Sequence, residues 1–325
     1  MASMRGKRKP SAQARAGADD RGSTEASNWP LRRAGSLRIL EAPALAKFGW
    51  LIHGFSTRPG GSSKLEEGET RRKSERVLNL GFTDWDSDQH VSENRRKFCE
   101  ALGAGKMRMV TLRQVHSDVP HLLEASNVTS VREPPAGDAL LTREPGFLLA
   151  VQTADCIPIL LADTRTQAVA AIHSGWRGTL SRIAEKTLGR MRMEFGTRPE
   201  EVIAALGPGI GACCYEVGYE VANAFAAKSP DARDWFKGQF DSIAAADHDP
   251  NWLPWLTMAA PGHAPDPPRV HLDLIAANRA LLAAAGVAPE NISASGVCTA
   301  CRTDLFFSYR RERTTGRLMA AIGIL

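Results

Sequence analysis

The sequence predicts an α+β chain, with mixed β-sheets layered against helices in a single domain behind an N-terminal tail. Three observations point there. Residues 147–151, 157–162 and 169–172 are short apolar runs rich in Val, Ile and Leu, and such runs read as buried strands. Leu180, Ile183, Ala184, Leu188, Met191 and Phe195 then follow at helical spacing, as do Val91, Phe98 and Leu102 earlier in the chain. Further strand-like runs, 202–206 and 318–325, come after helical stretches, and no internal repeat is present.

A chain of 325 residues, 43% hydrophobic, is long enough to bury a full core. No apolar run approaches the ~20 residues of a membrane helix. The basic N-terminus has no apolar segment behind it, so no secretory signal is read and a cytoplasmic protein is expected. Residues 1–35 carry eight Lys/Arg against three Asp/Glu, which accounts for the whole formal surplus of +5. That segment reads as a disordered basic tail, and 36–325 as the folded domain. No basic, aromatic-bearing fold follows the tail, so nucleic acid is not the expected partner.

In chain order, 37–40 opens the body as a strand. His53 to Gly61 makes a Gly/Pro turn, and the polar run 62–74 reads as a mobile loop. Arg58 there either faces a ligand anion or lies on the surface. Residues 86–102 form a helix stopped by Gly103. Residues 107–115 read as a strand ending at Gln114-Val115-His116. The run 202–206 enters the loop 207–211, Gly-Pro-Gly-Ile-Gly, either a source of backbone N–H donors for an anion or a tight turn. Residues 228–270 read as an irregular excursion that packs by Trp235, Trp252 and Trp255. Asp273 caps a helix through Leu281 and Leu282 that stops at Gly286. Residues 306–310 and 318–325 read as closing strands.

Three residues carry metal chemistry. His116, Cys156 and His173 each follow an apolar run, and a thiolate with two imidazoles is a good zinc set that leaves a fourth position open. The same atoms also read as a core cysteine with two hydrogen-bonded histidines, or as a Cys156 nucleophile with His173 as its base. Arg177, in Gly175-Trp176-Arg177-Gly178 at the start of a helix, is placed to share an anion with the free N–H groups there. The six cysteines are expected to be thiols. Cys298 and Cys301 form one CxxC, and with no second pair read beside it a packing role is expected over a metal or redox one.

The stretches HGFSTRPGG, LRQVHSD, GDALLT, TADCIPILLAD, HSGWRGT, LGPGIGACCYEVG, HLDL and CTACRTDLFFSYRRERTTGRLMAAIG stand in this order over residues 50–325. Together they resemble the YfiH family, also called the laccase-domain or polyphenol oxidase family. Ser174 departs from the alanine usual there. The resemblance implies a YfiH-like fold and a zinc site of His116, Cys156 and His173. It also implies phosphorolysis of purine nucleosides to free base and ribose 1-phosphate, with adenosine deaminase and methylthioadenosine phosphorylase side activities. In that reading Arg177, Arg58 and Arg310 hold phosphate, and Asp155 acts as acid/base or orients a ligand. Purine nucleosides and phosphate are the expected partners; the oligomeric state is left open. Eight histidines without a His-x-His favour one zinc, with copper as the alternative occupant. The competing readings are a metal-free cysteine hydrolase or deamidase using Cys156 and His173, a copper-dependent polyphenol oxidase, and a non-catalytic interaction protein working through its tail.

Overall fold

The computed structural model describes residues 29–65, 76–128, 134–238 and 270–325. Its architecture is α+β, with mixed sheets against helices as expected. One six-stranded sheet runs, in spatial order, Leu31–Ala34, Leu37–Leu40, Leu51–Ser56, Leu318–Ile324, Phe147–Thr153 and Arg108–Val110. The other runs Ile292–Ala294, Val202–Leu206, Ile157–Asp163, Val169–Ser174, Ala139–Thr142 and Pro120–Leu122.

The layering follows from the two-residue period of strands. Leu149, Val151, Ala320 and Ile322 from the first sheet meet Leu160, Ala162, Val169 and Ala171 from the second, forming one core between them. The alternate residues face outward and are buried too. Leu148, Ala150, Met319 and Ala321 pack against Phe98 and Leu102 of the helix Asp88–Leu102. Ile159, Leu161, Ala170 and Ile172 pack against Ile183, Leu188 and Met191 of the helix Ile183–Phe195 and Leu281 of the helix Leu274–Ala284. Because both faces of each sheet are covered, the central strands show unbroken apolar runs without alternation.

Several boundaries match the sequence reading. Ser87 caps the first helix and Gly103, in the left-handed region, ends it. Asp273 accepts a hydrogen bond from Ala276 N at the head of Leu274–Ala284. Others are corrected. The expected tail ends before residue 35, since Leu31–Ala34 pairs with Leu37–Leu40 and Trp29 packs on Phe55. Residues 1–28 lie outside the described residues. The first part of the expected loop 62–74 belongs to the strand Pro59–Lys64. Only Arg108–Val110 of 107–115 is strand, because Gln114 exchanges two side-chain hydrogen bonds with the backbone of Gln152 and takes the chain out of the ladder. The central helix is two helices, Trp176–Leu180 and Ile183–Phe195, broken at Arg182 with φ 61°. Residues 309–312 form a helical turn, Tyr309–Glu312, capped by Ser308, where a strand is expected. Of the expected excursion, Pro230–Trp235 is a 3₁₀ helix with Trp235 buried against Phe225. Trp252 and Trp255 lie outside the described residues. No helix among the described residues is long and apolar enough to cross a membrane.

His53 gives the fold a pH-sensitive term. Its Nε2 accepts a hydrogen bond from Ala42 N at 3.0 Å, so the buried ring is neutral. Burial, against the pull of Glu41, lowers its pKa from 6.5 to about 4. Between those values the unfolded chain binds a proton that the fold excludes. Stability is therefore full above pH 6.5 and falls as the pH drops through the window toward 4. Lowering the pH from 7 to 5 should cost about 2 kcal/mol from this residue in urea unfolding. His53→Gln keeps an acceptor for Ala42 N and should flatten that part of the slope; an unchanged slope would assign it elsewhere.

Candidate active site and metal centre

Cys156 sits at the corner Ala154-Asp155-Cys156, where the chain leaves the first sheet at Thr153 and enters the second at Ile157. Pairing of Ile157–Asp163 with Val169–Ser174 sets Pro158 opposite His173, which brings His173 beside the corner. His173 thus lies inside a strand and does not follow one. His116 comes from the loop after Arg108–Val110, with φ 57°. The three donor atoms lie within 4.8 Å of one another, and Cys156 Sγ is 3.9 Å from His116 Nε2. The sequence reading of these three as one cluster is what the fold assembles. Gly175 must be glycine here, because a Cβ would meet Cys156 Sγ at 2.8 Å.

Asp138, given no role in the sequence reading, organises the cluster. One carboxylate oxygen accepts from His173 Nδ1 at 2.8 Å and from His116 N at 3.1 Å. The other accepts from Ser117 N, Ser117 Oγ and Val115 N. These bonds hold His116 in its left-handed backbone and commit Nδ1 of His173, so Nε2 is the nitrogen left for a ligand. Burial opposes ionisation of Asp138, yet the hydrogen bonds from His173 and Ser117 win and hold its pKa at about 2. Burial likewise works against the Cys156 thiolate, but the facing His173 and His116 bring it down to about 6. One incipient thiolate, two imidazoles and an anchoring carboxylate fit a single soft divalent ion.

The cluster opens into a cavity of about 790 Å³. Arg177, Arg310, Arg313 and Arg317 line it, with Tyr215, Tyr309, Trp176 and Gln114. Arg177 stacks on Trp176, with no carboxylate at ion-pair distance among the described residues. Arg310 lies over Tyr215 and donates from Nη1 to Glu216 O. Of the four arginines, the sequence singles out only Arg177 and Arg310. Arg313, Arg317 and the two tyrosines carry no local signal.

Some expectations change. Arg58 is buried outside the cavity lining, paired with Glu312 and set against Phe307, so its role is to hold the turn Tyr309–Glu312. Asp155, at φ 95°, has both carboxylate oxygens committed, to Thr299 Oγ1 at 2.7 Å and Arg310 N at 2.7 Å. These two bonds tie the corner to Thr299 and to the backbone of Arg310. The helix at Arg177 is only five residues long, so its N-terminus adds little to the expected anion site. The loop 207–211 is a tight turn: Gly207 N and Ile210 N donate to Pro158 O and Asp155 O, and a Cβ on Gly209 would meet Ile157 at 2.2 Å. Ser174 Oγ has a buried partner in Asn278 Oδ1 at 2.9 Å.

Fold and site define a layered α+β protein with a candidate mononuclear His-Cys-His centre in an arginine-lined cavity. The chain belongs to the family described as multi-copper polyphenol oxidoreductase laccase, whose model matches residues 52–325. It is 37% identical to the purine nucleoside phosphorylase of Deinococcus radiodurans, over 90% of this chain and 94% of that protein. It is 36% identical to the adenosine deaminase RL5 of an unknown prokaryotic organism, over 70% of this chain and 78% of that one. Among solved structures it is similar to Bacillus licheniformis YfiH, with a TM-score of 0.72 and 29% identity, covering 91% of this chain and 99% of that one.

Proposed function

We propose that this protein is a zinc-dependent purine nucleoside phosphorylase. It takes adenosine or inosine with phosphate to free base and ribose 1-phosphate, with adenosine deaminase and methylthioadenosine phosphorylase side activities. The observation that carries this reading is the His116–Cys156–His173 cluster opening into a nucleoside-sized cavity walled by four arginines. The names of the relatives supply the substrate class.

His116, Cys156 and His173 would hold the ion. A divalent ion there supplies Lewis acidity. Arg177 presents a planar fork to phosphate, and Arg310, pinned through its backbone by Asp155, faces the same cavity. A phosphate oxygen bonds to C1′ as the C1′–N9 bond breaks, and the electron pair leaves with the purine. The positive wall stabilises both the phosphate and the departing base. Burial raises the Tyr215 hydroxyl well above its ordinary value, so it stays a neutral hydrogen-bond donor beside the site. The test is inosine with and without phosphate. Hypoxanthine and ribose 1-phosphate should appear in equal amounts and only with phosphate; release of hypoxanthine at the same rate without phosphate would overturn phosphorolysis.

Arg177→Ala separates the two activities. Losing a charge-assisted contact should raise the KM for phosphate about 10- to 100-fold. Adenosine deamination, which uses no phosphate, should change little. Equal losses in both would make Arg177 a structural residue.

A further inference from the structure

Folding supplies the second cysteine pair that the CxxC of Cys298 and Cys301 lacks in the sequence. Cys213, Cys214, Cys298 and Cys301 have their sulfur atoms within 4.8 Å of one another. Cys301 Sγ is 3.5 Å from Cys213 Sγ and 3.4 Å from Cys214 Sγ, across 88 and 87 positions of sequence. Two features of the second sheet bring the pairs together. Val202–Leu206 runs parallel to Ile292–Ala294, and beyond them Gly209 bridges Cys298, with Thr299 N donating to Gly209 O.

We propose that these four cysteines bind a second ion, a soft divalent metal of which zinc is the first choice. All four are free thiols. Cys213 and Cys301 are exposed, so apolar packing does not account for their convergence. A tetrahedral ion with metal–sulfur bonds of about 2.3 Å sets its sulfurs about 3.8 Å apart, close to the spacings seen. The surroundings suit a thiolate cluster. Gly211 N–H donates to Cys298 Sγ at 3.2 Å, and Arg311 Nη2 lies 3.6 Å from Cys214 Sγ. Both favour the negative charge that four thiolates around a dication would leave. Binding forms four metal–sulfur bonds and releases the thiol protons to solvent, with no change of oxidation state.

Four protein donors complete the coordination, so this ion has no open position and serves structure. It would clip the turn that carries Ile210 and Tyr215 to the segment 298–302. Arg311, bonded to Ala300 O, continues the clip to the turn that carries Tyr309 and Arg310. The clip therefore fixes one wall of the cavity without contributing a group to it.

The test is metal analysis of the purified full chain by mass spectrometry. Wild type should carry two equivalents per chain. A His116→Ala/Cys156→Ala double variant should keep one, and replacing its ion with cobalt should give the intense thiolate-to-cobalt bands of a tetrahedral all-sulfur site. Cys213→Ser/Cys301→Ser should also lose one equivalent while keeping the other; if that variant does not fold, the cobalt spectrum of the first still decides. Iron in place of zinc at the same stoichiometry supports the site equally. A double variant at His116 and Cys156 that carries no metal would overturn the proposal. So would a wild-type chain whose mass shows these cysteines joined as disulfides with no ion bound. The outcome is independent of the nucleoside chemistry, which can stand or fall alone.

Discussion

Cys156→Ala is expected to remove nucleoside turnover by about 10³-fold or more, since an active-site ion contributes several kcal/mol of charge stabilisation. It should also strip one equivalent of metal while leaving the ion of the four-cysteine cluster. Cys156 supplies the single sulfur of its trio, 3.9 Å from His116 Nε2. The same low-pKa thiol beside His173 also suits a metal-free nucleophile, so the replacement must separate the two. Cys156→Asp and Cys156→His keep a donor of ligand type. If Cys156 is a ligand, both should recover part of the metal and part of the activity. If it attacks covalently, neither restores that route. A chelator should stop the wild-type enzyme and added zinc should restart it without any thiol reagent. Full speed in a chelated, metal-free enzyme, with a covalent adduct on Cys156, would sink the metal assignment. The ligand reading accounts for His116, which the nucleophile reading leaves without a task.

Asp138→Asn is expected to damage the protein twice. The carboxylate is fully buried and accepts five hydrogen bonds, from His173, His116, Val115 and two groups of Ser117. An amide has one acceptor oxygen, and its NH₂ must then face N–H donors on one side. Breaking a buried charged hub of this kind should cost about 3 kcal/mol, a fall in Tm of roughly 5–10 °C. Metal affinity should fall about 10- to 100-fold, because His173 loses the partner that fixes its ring and tautomer. Thermal unfolding and competition with a chelator measure the two effects separately. An Asn variant with wild-type Tm and metal affinity would show that the histidines are held by other contacts.

What was legible in the sequence is what short-range patterns encode. Apolar runs at 147–151, 157–162 and 169–172 marked the central strands, and Gly103 and Asp273 marked helix ends, because burial and capping act within a few residues. The apolar runs before His116, Cys156 and His173 left a metal site and a packed core both open, and it was the family motifs that tied the three together. Long-range pairing was not readable. The break at Arg182 and the loss of strand after Val110 depend on a left-handed residue and on Gln114 reaching Gln152, neither of which has a periodic signature. Arg58 resembled an anion binder in sequence, and only its burial against Glu312 assigned it to the scaffold. Asp138 looked like one more loop residue before a strand; it became the hub once Val169–Ser174 paired with Ala139–Thr142 and laid His173 beside it. The four cysteines show the same division. The sequence holds Cys213-Cys214 and Cys298-Thr-Ala-Cys301 as two unremarkable pairs. Side-chain chemistry was settled residue by residue along the chain. Which donors share a site depends on strand register and sheet order, and those are set by contacts between residues far apart in sequence.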